Sequence, residues 1–197
     1  MASVQRSVHS KKKNDDSVSI EDPADVKRAE LVESPVMRAA FKDFYRKFRL
    51  KERSSFKDAE DYALSTLKDG ALPEKVQWRV YLELADLAKR SNKFEEARRL
   101  YRQVCELQPY ASQGWLEYSK LEEEGGHLNR CSKILQSGLE YCALSENLVT
   151  RAIKHEEKMG NLHRARQLLA RLKHVGIEKV WRTVLEGALL EARAGNH

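Results

Sequence analysis

Apolar residues recur every three or four positions from Pro35 to the end of the chain, in segments of about 12 to 17 residues. This spacing places them on one face of an amphipathic helix, and short polar or Gly-containing breaks separate the segments. Because the breaks are short, consecutive helices are expected to run antiparallel. The pattern predicts helices near residues 36–52, 55–69, 74–90, 93–107, 111–124, 127–142, 145–159, 161–174 and 177–194.

The helical segments also repeat one another at an interval of 34 residues. Segments that begin at Phe94, Leu128 and Leu162 align at that interval. Each carries a small residue at its fourth position and an apolar residue four further on: Ala97 and Tyr101, Cys131 and Leu135, Ala165 and Leu169. A small residue lets two helices approach closely, and helix pairs complete their core by stacking on further pairs. The sequence therefore predicts an all-α, right-handed α-solenoid of antiparallel helix pairs.

The predicted helices divide the chain into a tail and a repeat domain. Residues 1–35 lack the helical period and are predicted to form a disordered N-terminal tail, and residues 36–197 form the helical repeat domain. Within the domain we expect a weak leading unit at 36–70, repeats at 74–109, 111–143 and 145–175, and half a repeat at 177–197.

The last predicted helix looks like the first helix of a further pair. Gly195-Asn196 repeats Gly160-Asn161 at the turn that follows it. Its apolar face, with Trp181, Leu185 and Leu189, is therefore expected to lack its usual cover. Such a pattern is expected of a truncated array, a fragment or a short isoform, and a dimer through that face is the alternative.

Two sets of residues carry a resemblance to a known family. Ala97, Tyr101, Val104 and Pro109, preceded by Tyr81, Leu84, Ala85 and Ala88, resemble a tetratricopeptide repeat (TPR). Trp115, Tyr118 and Glu122 resemble its half-a-TPR (HAT) variant, and Ala165, Arg166 and Trp181 fit that style more loosely. The third unit departs from it, with Val149 and Ala152 where aromatic residues are expected. HAT proteins are helical scaffolds of splicing, polyadenylation and ribosomal RNA maturation, which favours a nuclear over a cytoplasmic location.

The net charge of +6 is unevenly distributed. Residues 37–57 hold eight basic and two acidic residues, residues 148–182 hold nine and three, and residues 58–147 hold twelve and sixteen. The chain is basic at both ends of its helical part and acidic between them, which does not fit a uniform coat for a polyanion. The two basic ends keep direct RNA binding as an alternative to a protein scaffold.

Candidate binding residues lie on two surfaces. A groove lined by the first helix of each pair is predicted at Leu82, Asp86, Leu116, Lys120, Thr150 and Lys154, where an amphipathic or acidic peptide could bind. A basic surface is predicted at Arg46, Lys47, Arg49, Lys51 and Arg53. The plainer interpretation of the basic segment is a solvated helix whose Phe41, Phe44 and Phe48 are buried against the first repeat.

Other kinds of site find little support in the sequence. There is no Gly-rich phosphate loop and no HExxH or GxSxG motif, so no enzyme, cofactor or metal is expected. His155 and His163 are interpreted as surface or turn residues, and Trp78, Tyr81, Trp115, Tyr118 and Trp181 as core rather than an RNA-stacking platform. No apolar run is long enough to cross a membrane. Partners are expected to be other proteins of a multi-subunit complex, with a generic TPR adaptor outside RNA metabolism as a further alternative.

Overall fold

The computed structural model describes residues 33–172 and 175–195, and within these ranges the chain forms nine α-helices and no strand. The helices are α1 (Pro35–Ser54), α2 (Phe56–Lys68), α3 (Glu74–Arg90), α4 (Phe94–Leu107), α5 (Ser112–Glu124), α6 (Leu128–Tyr141), α7 (Glu146–Lys158), α8 (Leu162–Ala170) and α9 (Ile177–Arg193). The predicted all-α fold is confirmed. Residues 1–32 of the predicted tail lie outside the described ranges.

The helices pack as pairs that stack on one another. The pairs are α1–α2, α3–α4, α5–α6 and α7–α8, and α9 packs against α7 and α8. Contacts between α4 and α5, and between α6 and α7, join one pair to the next. We call α3, α5, α7 and α9 the first helices, and α4, α6 and α8 the second helices. Trp115 of α5 packs against both apolar clusters of the protein, so the core continues along the array.

The leading helix α1 begins at a side-chain cap and buries one aromatic stripe. Ser34 Oγ accepts a hydrogen bond of 3.2 Å from the Met37 backbone N–H, and Pro35 occupies the first turn, where its missing N–H costs nothing. Phe41, Phe44 and Phe48 are buried, as the plainer interpretation of this segment predicts.

Aromatic contacts hold the buried phenylalanines of α1 against α2 and α3. The Phe44 ring stacks on Tyr62 of α2, with centroids 5.5 Å apart. The Arg79 guanidinium of α3 lies 3.9 Å from the centroid of Phe41. The leading pair is therefore part of the same core as the first complete repeat.

The turn inside each complete pair has the same backbone geometry. Asn92, Gly126 and Gly160 stand 34 residues apart and have φ angles of 58°, 75° and 77°. In this left-handed conformation the next N–H reaches back into the helix, as from Lys93 to the Ala88 carbonyl at 2.9 Å. Gly adopts the conformation without steric cost, and Asn tolerates it better than most residues. The 34-residue interval is therefore a backbone repeat as well as a sequence repeat.

Small residues set the distance between paired helices. Ala97, Cys131 and Ala165 are all fully buried, as the sequence repeat predicts. A Cβ atom added at Gly138 of α6 would stand 2.8 Å from Cγ of Trp115, closer than carbon atoms pack. Larger side chains at such positions would push the helices apart.

A carboxylate near the end of α5, α7 and α9 joins each pair to the preceding one. Glu122 and Glu156 are buried, and Glu191 is half-buried. In each case the residue that donates to the carboxylate lies on the second helix before it, and the donors stand 34 residues apart: Arg98 to Glu122 at 2.6 Å, Ser132 to Glu156 at 3.2 Å, and Arg166 to Glu191 at 2.7 Å. We call these contacts the glutamate junctions.

The interpretation of His155 as a surface residue is wrong. Its side chain is 1% exposed, and neither ring nitrogen has a hydrogen-bond partner among the described residues. The physical reason is its register, because His155 stands 34 residues after Leu121 and 68 after Leu87, which are both buried. The repeat places position 155 in the core regardless of the polarity of its side chain.

Replacing His155 by Leu is expected to stabilise the protein by about 1–3 kcal/mol at pH 7, because an apolar residue removes unpaired buried polar atoms. Urea unfolding followed by circular dichroism measures the change. His163→Leu is the matched control, since His163 is exposed and its replacement should stay within about 0.5 kcal/mol. A destabilised His155→Leu variant would show that the imidazole makes favourable polar contacts.

Candidate protein-interaction surface

The first helices lie side by side and are joined by a repeated ion pair. Each ion pair joins the last turn of one first helix to the last turn of the next first helix. The three ion pairs are Lys89–Glu124 at 2.7 Å, Glu123–Lys158 at 3.2 Å and Glu157–Arg193 at 2.6 Å. Residues 89, 123 and 157 stand 34 residues apart, so the ion pair recurs at the same place in successive repeats. In the first ion pair the basic residue comes first along the chain, and in the other two the acidic residue comes first. The first helices therefore present a surface of fixed spacing, which we call the first-helix surface.

On α3, the predicted groove residues are less accessible than expected. Leu82 is 3% exposed and belongs to the same core cluster as Phe41 and Ala59 of the leading pair. It therefore cannot contact a partner, which corrects its assignment to the groove. Asp86 is half-buried and accepts a hydrogen bond from the Tyr101 hydroxyl of α4.

On α5, the two predicted residues remain partly accessible. Leu116 is half-buried, and Lys120 keeps 41% of its side chain exposed. The Lys120 Nζ atom lies 2.7 Å from Glu117 Oε1, a residue of the same helix. An ion pair of this kind on a helix surface is weak, so Lys120 can turn to another anion at little cost.

On α7, the predicted residues already contact α9. Thr150 Oγ1 and Thr183 Oγ1 share a hydrogen bond of 2.7 Å, and Lys154 Nζ lies 2.9 Å from Glu186 Oε2. Thr150 thus contributes to helix packing, whereas Lys154 still exposes 54% of its side chain. The structure does not gather the six predicted residues into a single open groove. It leaves Leu116, Lys120 and Lys154 as the accessible ones.

An acidic cluster on the first-helix surface was missed by the sequence analysis. Glu83 lies near Asp86 on α3, and Glu117 of α5 adds a third carboxylate. Burial, with the charge of Asp86, raises the pKa of Glu83 to about 7. Burial also raises the pKa of Asp86, and the hydrogen bond from Tyr101 only partly offsets it. Glu83 and Glu117 are 34 residues apart, so the repeat register itself could have indicated this pair.

The predicted basic surface lies on several sides of α1 and is partly neutralised by acidic neighbours. Arg46, Lys47, Arg49, Lys51 and Arg53 are all exposed. Asp43 lies 2.7 Å from both Arg46 and Lys47, and Glu52 lies 2.5 Å from Arg49. The Lys51 ammonium lies 5.5 Å from the centroid of the Tyr62 ring. These contacts reduce the charge available to phosphate groups.

The face of α9 that points away from α7 and α8 is apolar and open. Between 45% and 66% of each large side chain on it is exposed: Ile177, Trp181, Val184, Leu185 and Leu189. The expectation that Trp181, Leu185 and Leu189 lack a cover agrees with these exposures. Trp181 was also assigned to the core, and that assignment is wrong, because 52% of its side chain is exposed.

Two further properties bear on the kind of site. Among residues 33–172 and 175–195, no group of three or more His, Cys, Asp or Glu side chains is arranged to hold a metal ion. No helix in the same ranges is both long and apolar enough to cross a membrane.

Comparison with known sequences places these features in a family. The family model described as "PRP6, TPR-like domain" matches residues 71–197. A TPR-containing protein of Dictyostelium discoideum is 55% identical over 174 residues, which are 88% of this chain and 13% of that protein. The pre-mRNA-splicing factor CLF1 of Eremothecium gossypii is 32% identical over 107 residues, which are 52% of this chain and 15% of the factor. The chain thus spans a small part of the length of both relatives.

Solved structures show the same fold at low sequence identity. A tetratricopeptide repeat protein from Parabacteroides merdae has a TM-score of 0.60 and 18% identity, covering 80% of this chain and 61% of that one. BtubC from P. vanneervenii has a TM-score of 0.59 and 12% identity, covering 88% and 80%. These similarities confirm the TPR-like arrangement of helix pairs.

The raised pKa of Glu83 makes the stability of the protein depend on pH. The folded chain binds this proton more tightly, with a pKa of about 7, than the unfolded chain, with a pKa of 4.5. The resulting stabilisation is therefore fully present below pH 4.5 and is lost as the pH rises through 7.

We expect Glu83→Gln to stabilise the protein at pH 8, where the wild-type carboxylate is charged and buried. The replacement should also flatten the fall in unfolding free energy between pH 4.5 and about pH 7, the interval bounded by the two pKa values. Urea titrations at a series of pH values measure this. Glu140→Gln, at an exposed position of α6, is the control and should leave the slope unchanged. An unaltered slope in Glu83→Gln would contradict the assignment.

Proposed function

Because the chain belongs to the PRP6 TPR-like domain family, we propose that it is a non-catalytic scaffold that binds other proteins of an RNA-processing complex in the nucleus. Pre-mRNA splicing is the process we favour, since one of its relatives is a pre-mRNA-splicing factor. The observation that carries the proposal is the first-helix surface, in which ion pairs of 2.6–3.2 Å hold successive helices at a fixed spacing.

The mechanism is binding without a chemical step. Stacked helix pairs give a stiff surface, so a partner segment loses its own conformational freedom on binding but little is lost by the scaffold. Leu116 supplies an apolar contact at the centre of this surface, and Lys120 next to it supplies a positive charge. Binding of this kind requires only complementary shape and charge.

The accessible charges of the first-helix surface are positive. Lys120 and Lys154 keep 41% and 54% of their side chains exposed, and each is paired with only one carboxylate. An acidic segment whose apolar residues lie over Leu116 is the partner that fits this surface.

Direct RNA binding through α1 is the alternative, and the ion pairs on α1 argue against it. Three of the five predicted cations are paired with Asp43 or Glu52. A phosphate would have to displace those carboxylates, which reduces the gain from each contact. A generic TPR adaptor outside RNA metabolism would use the same first-helix surface with other partners.

The scaffold proposal is tested by reversing the accessible charge on α5. We expect Lys120→Glu to lower the recovery of co-purifying splicing proteins from nuclear extract at least fivefold, because the residue then repels an acidic partner segment. Quantitative mass spectrometry after ribonuclease treatment measures the recovery.

Lys133→Glu is the matched control, since Lys133 is an exposed residue of the second helix α6, away from the first-helix surface. The control should recover the same proteins as the unchanged chain. A set of partners that is lost on ribonuclease treatment would favour direct RNA binding. Unchanged recovery by Lys120→Glu would overturn the assigned surface.

A further inference from the structure

Four cations of α1 share one face of the helix. Lys42, Arg46, Arg49 and Arg53 follow one another at intervals of four, three and four residues, so each stands about one turn after the last. All four side chains are exposed, and the buried phenylalanine stripe lies on the other side of α1. We call these four residues the basic face of α1.

Two exposed apolar side chains flank the basic face. Tyr45 exposes 39% of its surface and Leu50 exposes 65%. Both line the same surface cavity as the four cations. The basic face therefore offers apolar contacts beside its positive charge.

Much of the charge of the basic face is available to a further carboxylate. Lys42 and Arg53 form no ion pair with any of the described residues. Arg46 and Arg49 pair with Asp43 and Glu52 of their own helix. Exposed ion pairs between neighbouring turns of one helix are weak, so these two arginines can also approach another anion.

The tail that precedes α1 carries the complementary charge. Residues 14–25 hold five acidic residues and no basic residue: Asp15, Asp16, Glu21, Asp22 and Asp25. The same stretch holds two large apolar residues, Val18 and Ile20. It therefore matches the basic face both in charge and in its apolar contacts.

The attachment of the tail brings this stretch within reach of the whole basic face. Glu33 lies 2.9 Å from Arg79 of α3, and Ser34 caps α1, so the chain enters the helix at a fixed place. Nine residues separate Asp25 from Ser34 and span up to about 30 Å when extended. Arg53 lies about 27 Å from the start of α1 at about 1.5 Å per residue.

We propose that residues 14–25 of the same chain bind to the basic face of α1, with their carboxylates against its four cations and their two apolar side chains against Tyr45 and Leu50. The contact covers basic residues that would otherwise attract a polyanion. It lies outside the first-helix surface and does not depend on the proposed scaffold function.

The tether favours this segment over the other occupants of the basic face. A segment on a short linker acts at an effective concentration on the order of millimolar, so several weak ion pairs suffice to hold it. A free RNA has no such advantage and meets the carboxylates of Asp43 and Glu52. A second copy of the chain that docked through its own basic face would bring like charges together.

Carbodiimide coupling tests the proposal on the full chain, because it joins a carboxylate directly to a lysine amine only where the two groups are in contact. We expect residues 15–25 to couple to Lys42 at about 50 mM salt. The yield should fall at least fivefold at about 500 mM salt, where exposed charges are screened. Mass spectrometry of the tryptic peptides measures the yield, and a mixture of unlabelled and isotope-labelled chains separates coupling within one chain from coupling between two.

A pair of double variants separates attraction to the basic face from mere closeness to the start of α1. Arg49→Gln with Arg53→Gln removes two of the four cations, retains Lys42 as the amine, and should lower the coupling at least threefold. Arg102→Gln with Lys133→Gln is the matched control, since it removes the same charge from exposed positions of α4 and α6. The control should couple to Lys42 as the unchanged chain does.

Four outcomes would overturn the proposal. The first is an equal yield at Lys42 in the two double variants. The second is coupling of the acidic residues only to the lysines at residues 11–13, which would show that the tail pairs with itself. The third is coupling only between labelled and unlabelled chains, which would assign the face to a second copy. The fourth is loss of the coupling when an equimolar single-stranded RNA is added, which would assign the face to RNA.

Discussion

The arrangement of the helix pairs depends on a carboxylate held where three helices meet. Glu122 is fully buried, and it receives Arg98 from the preceding pair at 2.6 Å while His127, at the start of its own second helix, lies 3.2 Å away. Hydrogen bonds to Glu95 and Glu122 raise the pKa of Arg98 although burial opposes its charge. Oε1 of Glu122 accepts from Arg98, whereas Oε2 accepts no hydrogen bond from the described residues and has only His127 and Arg130 nearby, at 3.2 and 3.7 Å. Because a buried carboxylate is costly without such neighbouring cations, the contact favours the arrangement in which all three helices are in register. The junctions therefore fix the stacking as well as stabilise it.

Much of the fold could be predicted from the sequence because its strongest constraints are local and periodic. The small residues Ala97, Cys131 and Ala165 are buried as predicted, since no larger side chain fits where paired helices touch. His155 was predicted to be exposed because histidine is polar, but it occupies the same repeat position as the buried Leu121 and Leu87 and is therefore buried. For Leu82 the repeat position was misleading instead. That position predicts a place in the groove, but the leading pair packs against α3 and buries Leu82.

The candidate surfaces were harder to predict because they depend on contacts between distant residues. Thr150 and Lys154 are partnered by Thr183 and Glu186 of α9, which are more than 30 residues further along the chain. Glu83 escaped notice because its importance comes from burial next to Asp86 and not from any motif. Polar residues at equivalent positions of successive first helices either pack against a neighbouring helix or remain available for binding. Which of the two occurs depends on the residues of the neighbouring helix, and these cannot be identified from the position alone.

A double-mutant cycle between Arg98 and Glu122 tests the glutamate junction most directly. The variants Arg98→Met, Glu122→Gln and the double replacement are unfolded in urea, and their free energies of unfolding are compared. The account predicts that each single replacement costs about 3–5 kcal/mol and that the coupling energy exceeds about 1 kcal/mol. Additive effects, with a coupling below about 0.5 kcal/mol, would contradict a junction on which the stacking of the pairs depends.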